Sequence, residues 1–192
     1  YKGLLLRAEK RFSQAFQIMG AYTYSTNNGT NFRNGFNLDN WLQNRGPLDL
    51  SDFTQIANIA GVVQLPWGFD MGLNFSYSSA PAFSAYLAGI DFNGDGTFGD
   101  LLPGTTVNAF NRGMGRTDME RLVAQFNATY AGAIDAQGRT IPSVTLPARY
   151  TFGDNFHSLD LRLSRTFKFR EHWRMSLIGE AFNLYNKANL SG

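Results

Sequence analysis

Ten consecutive residues, Asp91-Phe92-Asn93-Gly94-Asp95-Gly96-Thr97-Phe98-Gly99-Asp100, carry the oxygen-rich spacing that a hard cation asks of a chain. Side-chain oxygens at Asp91, Asn93 and Asp95, a carbonyl at Thr97 and a turn at Gly96 match the first half of an EF-hand loop, which makes calcium the candidate cofactor. Leu102 stands where that loop places its bidentate Glu, so Asp100 would supply the last carboxylate of a shorter loop. The same residues also make an Asx-rich turn, in which the glycines take positive φ and the carboxylates bond to nearby backbone. Both readings are open from sequence.

A second set of polar residues recurs at alternate positions of extended runs: Arg7, Glu9, Arg11, Asp160, Arg162, Arg174 and Glu180. On the inward side of a barrel these would face a lumen, touching a plug or a polar solute, or satisfying one another and water across neighbouring strands. Trp41, Phe32, Phe36, Phe83, Tyr86 and Phe98 would stack on a ligand or pack the loops together. His157 and His172 lie at opposite ends of one run, too far apart to share a metal. No GxSxG, HExxH, phosphate-loop or dinucleotide fingerprint occurs, and the carboxylates are scattered, so no enzymatic activity is expected.

Bulk composition narrows the class. Charged residues make up 17% of the 192, while Phe (17) and Gly (20) are numerous; a soluble surface ordinarily draws on about a quarter charged residues. Seventeen basic against fifteen acidic residues leave a net charge of +2, too small an excess to imply nucleic acid. Without cysteine there is neither a disulfide framework nor a thiolate site. No apolar run reaches the roughly 18 residues of a membrane helix, which leaves membrane strands open.

The elements that must position these residues are three pairs of strand-like runs: Leu4 to Phe12 with Phe16 to Tyr24, Gln55 to Leu65 with Phe69 to Ser78, and Phe156 to Phe167 with Trp173 to Ala181. Within each pair the turn is tight, at Ser13-Gln14-Ala15, Pro66-Trp67-Gly68 and Arg170-Glu171-His172. Between pairs the connections, Ser25 to Thr54 and Ser79 to Asn155, are long and polar. Phe69, Met71, Leu73, Phe75 and Tyr77 alternate with Asp70, Gly72, Asn74, Ser76 and Ser78, a period of two. Leu4, Leu6, Ala8 and Phe12 oppose Leu5, Arg7, Glu9 and Arg11, with Lys10 an exception whose stem would snorkel from the apolar row. Leu159, Leu161, Leu163 and Phe167 oppose Ser158, Asp160, Arg162, Ser164 and Thr166; Trp173, Met175, Leu177, Gly179 and Ala181 oppose Arg174, Ser176, Ile178 and Glu180. One helix is expected over Thr117 to Tyr130, opened by a Thr117/Glu120 capping box and buried along Met119, Leu122, Val123, Phe126 and Tyr130. It would serve as a gate at a barrel mouth or as the core of a structural insertion.

A soluble sandwich alternates in the same way. Three features favour lipid. The runs exceed the usual roughly five or six residues and approach the length of a tilted membrane strand. Phe12, Phe16, Trp67, Phe69, Phe167, Phe169 and Trp173 flank the short turns while Tyr22, Tyr24 and Tyr77 sit at the opposite ends, making two aromatic belts. Short turns on one side and long loops on the other repeat the sidedness of outer-membrane barrels. The fold expected is all-β, an antiparallel meander forming part of a large transmembrane β-barrel, with the helix in an extracellular loop and the outer membrane as location. Six strands fall short of the roughly eight that close the smallest single-chain barrel. With Tyr1-Lys2-Gly3 entering a strand directly, residues 1–192 are expected to be a partial barrel from a longer protein.

Glu180-Ala181-Phe182-Asn183-Leu184-Tyr185-Asn186 resembles the penultimate-strand signature of TonB-dependent outer-membrane receptors, specifically the Oar-like β-barrels. Leu159-Asp160-Leu161-Arg162-Leu163-Ser164-Arg165 resembles the strand before it, and Gly61-Val62-Val63-Gln64-Leu65-Pro66-Trp67-Gly68 an upstream strand with its periplasmic turn. The resemblance implies the carboxy-terminal part of a barrel of about twenty-two strands, taking up a specific solute. It also implies, as partners outside this segment, a plug domain and an inner-membrane energy-transducing complex, besides outer-membrane lipid; the plug and the usual aromatic-ended last strand lack counterparts in the segment. A surface adhesion or structural barrel with calcium-binding loops, and a passive porin, are the alternatives.

Overall fold

The computed structural model describes residues 1–30, 40–48, 53–170 and 172–188. In chain order the elements are β1 (Lys2–Ser13), β2 (Phe16–Thr26), β3 (Asn28–Thr30), β4 (Arg45–Pro47), β5 (Gln55–Leu65), β6 (Phe69–Ser78), β7 (Tyr86–Leu87), β8 (Asp100–Leu101), α1 (Arg116–Tyr130), β9 (Phe156–Phe169) and β10 (Trp173–Ala181). The six long strands form one antiparallel meander in the order β1-β2-β5-β6-β9-β10, and the short ones pair as β3 with β4 and β7 with β8 inside the long connections. The three expected hairpins are all present, and β9 runs two residues further than the alternation suggests, to Phe169. Among the described residues no helix is long and apolar enough to cross a membrane.

The register carries one facing across every strand. Ile18 lies opposite Gly61, Gly61 opposite Leu73, Leu73 opposite Leu161, and Leu161 opposite Ala181. Opposed residues in an antiparallel ladder point the same way, and neighbours along a strand point opposite ways. One face therefore collects Leu4, Leu6, Ile59, Met71, Leu159 and Met175, and the other collects Arg7, Asn58, Asp70, Arg162 and Glu180. The apolar face is uncovered: Leu4 and Leu6 are each 55% exposed and Leu177 58%. A sandwich would bury this row against a second sheet, and none lies over it among the described residues.

The buried core is elsewhere. It sits in the insert between β6 and β9, where Leu102, Phe110, Leu122, Val123 and Phe126 are enclosed with Phe152. Met119, Leu122, Val123 and Phe126 are the buried stripe of α1, with Tyr130 packed at its margin, as the helical spacing predicts. The start of the helix differs from the expectation. Gly115 is the N-cap, and the Asp118 carboxylate accepts the Gly115 N–H at 3.0 Å. Glu120 turns instead to Arg116, at 2.9 Å. Asp118 wins because it is the residue three beyond the cap, and its carboxyl is held below the ordinary range by the Gly115 N–H, with Arg121 adding to the effect.

The turns explain the hairpins. Gln14 and Ala15 take φ of 52° and 67°, the left-handed pair of a two-residue turn whose twist matches the strands it joins. Just before it the ladder slips: Lys10 faces Ile18 and Ser13 faces Phe16, so Arg11 and Phe12 together stand opposite Gln17 alone. A side chain at the left-handed Ala15 position is costly, and Ala15→Gly should stabilise the folded barrel by about 1 kcal/mol, read as a shifted urea midpoint for the full-length protein in vesicles; an unmoved midpoint would contradict the turn geometry.

Candidate functional site

The two polar constellations lie on different parts of the fold. The acidic stretch forms a surface loop of the insert, directly before β8. Asp91 is completely buried, and its carboxylate accepts the Gly94 N–H at 2.7 Å and the Gly96 N–H at 3.0 Å. The Gln137 amide reaches the same carboxylate from the far side of the insert. Asn93 accepts the Asp95 N–H at 3.0 Å, and Asp95 accepts the Thr97 N–H at 2.8 Å and the Thr97 hydroxyl at 2.6 Å. Asp100 closes the loop by accepting the N–H groups of Phe92 and Asn93 with Oδ2. Gly94, Gly96 and Gly99 take φ of 77°, 85° and 95°, which makes these folds of the chain affordable without strain.

The five candidate ligands thus share one loop, yet most of their side-chain oxygens are turned onto the loop's own donors. Among the described residues no three acidic or histidine side chains converge as a metal would require. One oxygen differs. Oδ1 of Asp100 is buried with no hydrogen-bond partner. Burial pushes the Asp100 carboxyl above its ordinary value, and the Asp95 and Asp91 carboxylates add to the rise, together outweighing the pull of the two backbone donors.

The insert is tied into a single body by aromatic and amide contacts. Phe83, Phe110 and Phe152 pack in edge-on and tilted pairs, with ring centroids 4.8 to 6.3 Å apart. Phe92 meets Tyr130 edge-on at 4.7 Å, which joins the acidic loop to α1. Asn127 donates to the Val144 carbonyl at 2.8 Å and accepts the Val144 N–H at 2.7 Å, fixing the chain after the helix. The helix is therefore the centre of a structural insertion packed on loop residues. Of the loop aromatics, Phe83 belongs to this core, whereas Trp41 (53%), Tyr86 (40%) and Phe98 (60%) stay exposed, Phe98 beneath the Arg139 guanidinium. Phe32 and Phe36 lie outside the described residues, as does Glu171 of the third turn.

The first connection leans on this body. The Val107 N–H donates to the Gln43 carbonyl at 3.1 Å, and Asn108 donates to the Pro47 carbonyl at 2.7 Å. Gly46 permits the approach, since a Cβ there would sit 2.1 Å from the Val107 carbonyl oxygen.

The charged row occupies the polar face of the sheet. Arg7 and Glu9 pair at 3.3 Å along β1, and Arg162 meets Glu180 at 3.5 Å across β9 and β10. Asp160 accepts the Ser158 hydroxyl at 3.2 Å and the Asn183 N–H at 2.9 Å. Arg174 stands opposite Lys168, a like-charged pair that water must screen. Arg11, in the bulge, is outside the regular ladder. With their side chains half exposed, the two ion pairs contribute little to stability, on the order of 0 to 1 kcal/mol each; they keep the surface polar. Gln17, Val62, Gly72, Asn74, Arg162 and Glu180 border a hollow of about 300 Å³ on this face. Asp70 joins the row by register, opposite Ser164, and the same alternation that picked out Asp160 also marks it.

Two of the sequence stretches singled out above are neighbours. Asn183 bonds Asp160, and Tyr185 lies edge-on to His157 with ring centroids 5.6 Å apart. His157 also meets the Lys187 ammonium at 3.5 Å, while His172 stands at the other end of the hairpin.

A protein-family model described as "Outer membrane beta barrel domain" matches residues 1–192. The chain belongs to that family, and its location is the outer membrane. Comparison with curated proteins and with solved structures gives no match.

Adding a methyl group at Gly46 should separate the first connection from the insert, at a local cost of about 1 to 3 kcal/mol. In Gly46→Ala the Val107 amide should exchange faster with solvent deuterium while the amides of β5 and β6 keep their protection; unchanged exchange at Val107 would show that the contact does not hold the loops.

Proposed function

We propose, from membership of the outer membrane β-barrel family, that this chain is a wall section of a receptor-type barrel that admits a specific solute, of the kind seen in TonB-dependent, Oar-like receptors. The observation that carries the reading is the division of one sheet into two unlike faces below a folded insert. A face of Leu, Phe, Met and Tyr suits hydrocarbon, a face of ion pairs, Asn and Gln suits a watery lumen, and the insert at the long-loop end offers a formed surface to the exterior. The resemblance of Glu180-Ala181-Phe182-Asn183-Leu184-Tyr185-Asn186 to the receptor signature adds the family within the barrels, and its contact with Asp160 joins it to the second resembling stretch.

The outer edges of β1 and β10 have no strand beside them among the described residues. Backbone groups left unpaired in lipid cost several kcal/mol each, so further strands complete the wall. A plug, and the segment that contacts an inner-membrane energy-transducing complex, would come from other parts of the same larger protein.

A second reading, a surface barrel whose loops hold calcium, has one observation in its favour, the buried and unpartnered Oδ1 of Asp100. Calorimetry on the full-length protein separates the two. Calcium-dependent heat that vanishes in Asp95→Ala would favour the surface reading, and no heat at millimolar calcium removes it.

The facing itself has a sharper test. Leu161 sits mid-strand on the apolar face and Ser164 on the polar one. Leu161→Arg should destabilise the barrel by about 2 to 4 kcal/mol and Ser164→Arg by far less, measured by denaturant unfolding in phospholipid vesicles. Equal costs would overturn the assignment of lipid and lumen.

A further inference from the structure

On the short-turn side, the apolar face carries two cations among the described residues, Lys10 and Arg165, and they are treated differently. The Lys10 ammonium is consumed by its own hairpin: it donates to the Ser13 carbonyl and hydroxyl, each at 2.8 Å, and to the Phe16 carbonyl at 3.2 Å, with the Phe16 ring 3.6 Å away. Arg165 has no such arrangement. Its place on the apolar face is fixed by register, opposite Phe69 on one side and Leu177 on the other. Its guanidinium lies 5.1 Å from the Phe69 ring and 4.7 Å from the Phe167 ring, and no carboxylate, carbonyl or hydroxyl among the described residues accepts from it.

Rings orient a guanidinium but accept none of its five N–H donors in plane. A guanidinium flanked by two rings keeps its in-plane N–H donors for an acceptor outside the protein, and their fork matches the spacing of phosphate oxygens. Phe69 is the first residue after the Pro66–Gly68 turn, and Trp67 in that turn is 82% exposed. Trp173 and Phe169, paired at the neighbouring turn, are exposed as well. Arg165 therefore stands in an aromatic girdle at the level where hydrocarbon gives way to headgroups. We infer that Arg165, walled by Phe69 and Phe167, is a binding site for the headgroup phosphate of an anionic phospholipid in the leaflet on the short-turn side. The site rests on the lipid facing proposed above for this side of the sheet; the fork and its vacant donors select the charge of the lipid.

The test uses the full-length protein in detergent micelles, titrated separately with dilauroyl phosphatidylglycerol and dilauroyl phosphatidylcholine, with retained lipid counted by native mass spectrometry. The wild type should retain phosphatidylglycerol about fivefold better than phosphatidylcholine, the fold-change that one basic residue near an anionic headgroup carries. Arg165→Gln should abolish that preference, and Lys10→Gln, whose ammonium is engaged internally, should keep it. A preference that survives in Arg165→Gln, or is absent from the wild type, overturns the site. So does displacement of the lipid by excess inorganic phosphate, which would make it a free-anion site. If Arg165→Gln fails to fold, Phe167→Leu decides: it removes one wall and should lower retention of phosphatidylglycerol, and unchanged retention there counts against the proposal.

Discussion

A strand in hydrocarbon must give every backbone N–H and C=O to a neighbouring strand while offering lipid only apolar side chains. The rest of this structure depends on that double demand. Hydrogen bonding forces the six long strands into one continuous ladder, and a ladder fixes which residues share a face. Each strand contributes alternate positions to lipid, so a single register error would move a whole row of Leu, Met and Phe to the polar side. The rows running from Ile18 through Gly61, Leu73 and Leu161 to Ala181 keep one facing without interruption. The bulge at Arg11 and Phe12 is confined to the last turn of its hairpin, where the ladder is about to end and the slip disturbs nothing beyond it.

The same demand explains what was legible in the sequence. Alternation is a local signal of period two, and membrane strands show it strongly because neither face has a second layer to blur it. The strand pairs, their tight turns and the Arg162 and Glu180 row followed from it directly. Lys10 stood out as a break in its row. Arg165 breaks its own row just as plainly, between Leu163 and Phe167, and stepping by two from Leu163 identifies it. The helical stripe of α1 was equally legible, since Met119, Leu122, Val123 and Phe126 recur at helical spacing. Its cap was not, because Asp118 and Glu120 can each reach back to the backbone N–H three residues earlier, at Gly115 or Thr117, and only the position of the first helical turn decides between them.

The insert was largely hidden for a different reason. Its core sets against α1 the rings of Phe83, Phe110 and Phe152, residues scattered through irregular chain with no period among them. Their meeting depends on contacts such as that of Asn127 with Val144, which no local pattern encodes. The acidic loop shows the limit most clearly. Alternate oxygens at Asp91, Asn93 and Asp95 fit a cation loop and an Asx turn equally, because both need carboxylates held near glycines. The difference lies in whether the oxygens converge on a point or on N–H groups, and in this fold they take the N–H groups of Gly94, Gly96 and Thr97.

Two environments are therefore stabilised by opposite means within one chain. The sheet buries almost nothing by itself and relies on lipid to cover its apolar face, so its own side-chain contacts can be sparse and its polar face can tolerate Lys168 opposite Arg174. The insert stands in water and has to bury its own aromatic core, as any soluble domain does. The junction between them is polar: Asn155 accepts the backbone N–H of Ala80, and Arg112 donates to the Ala80 carbonyl. An apolar joint would have merged the two cores and drawn the insert toward the membrane. A hydrogen-bonded joint keeps the insert's aromatic core separate from the apolar face of the sheet.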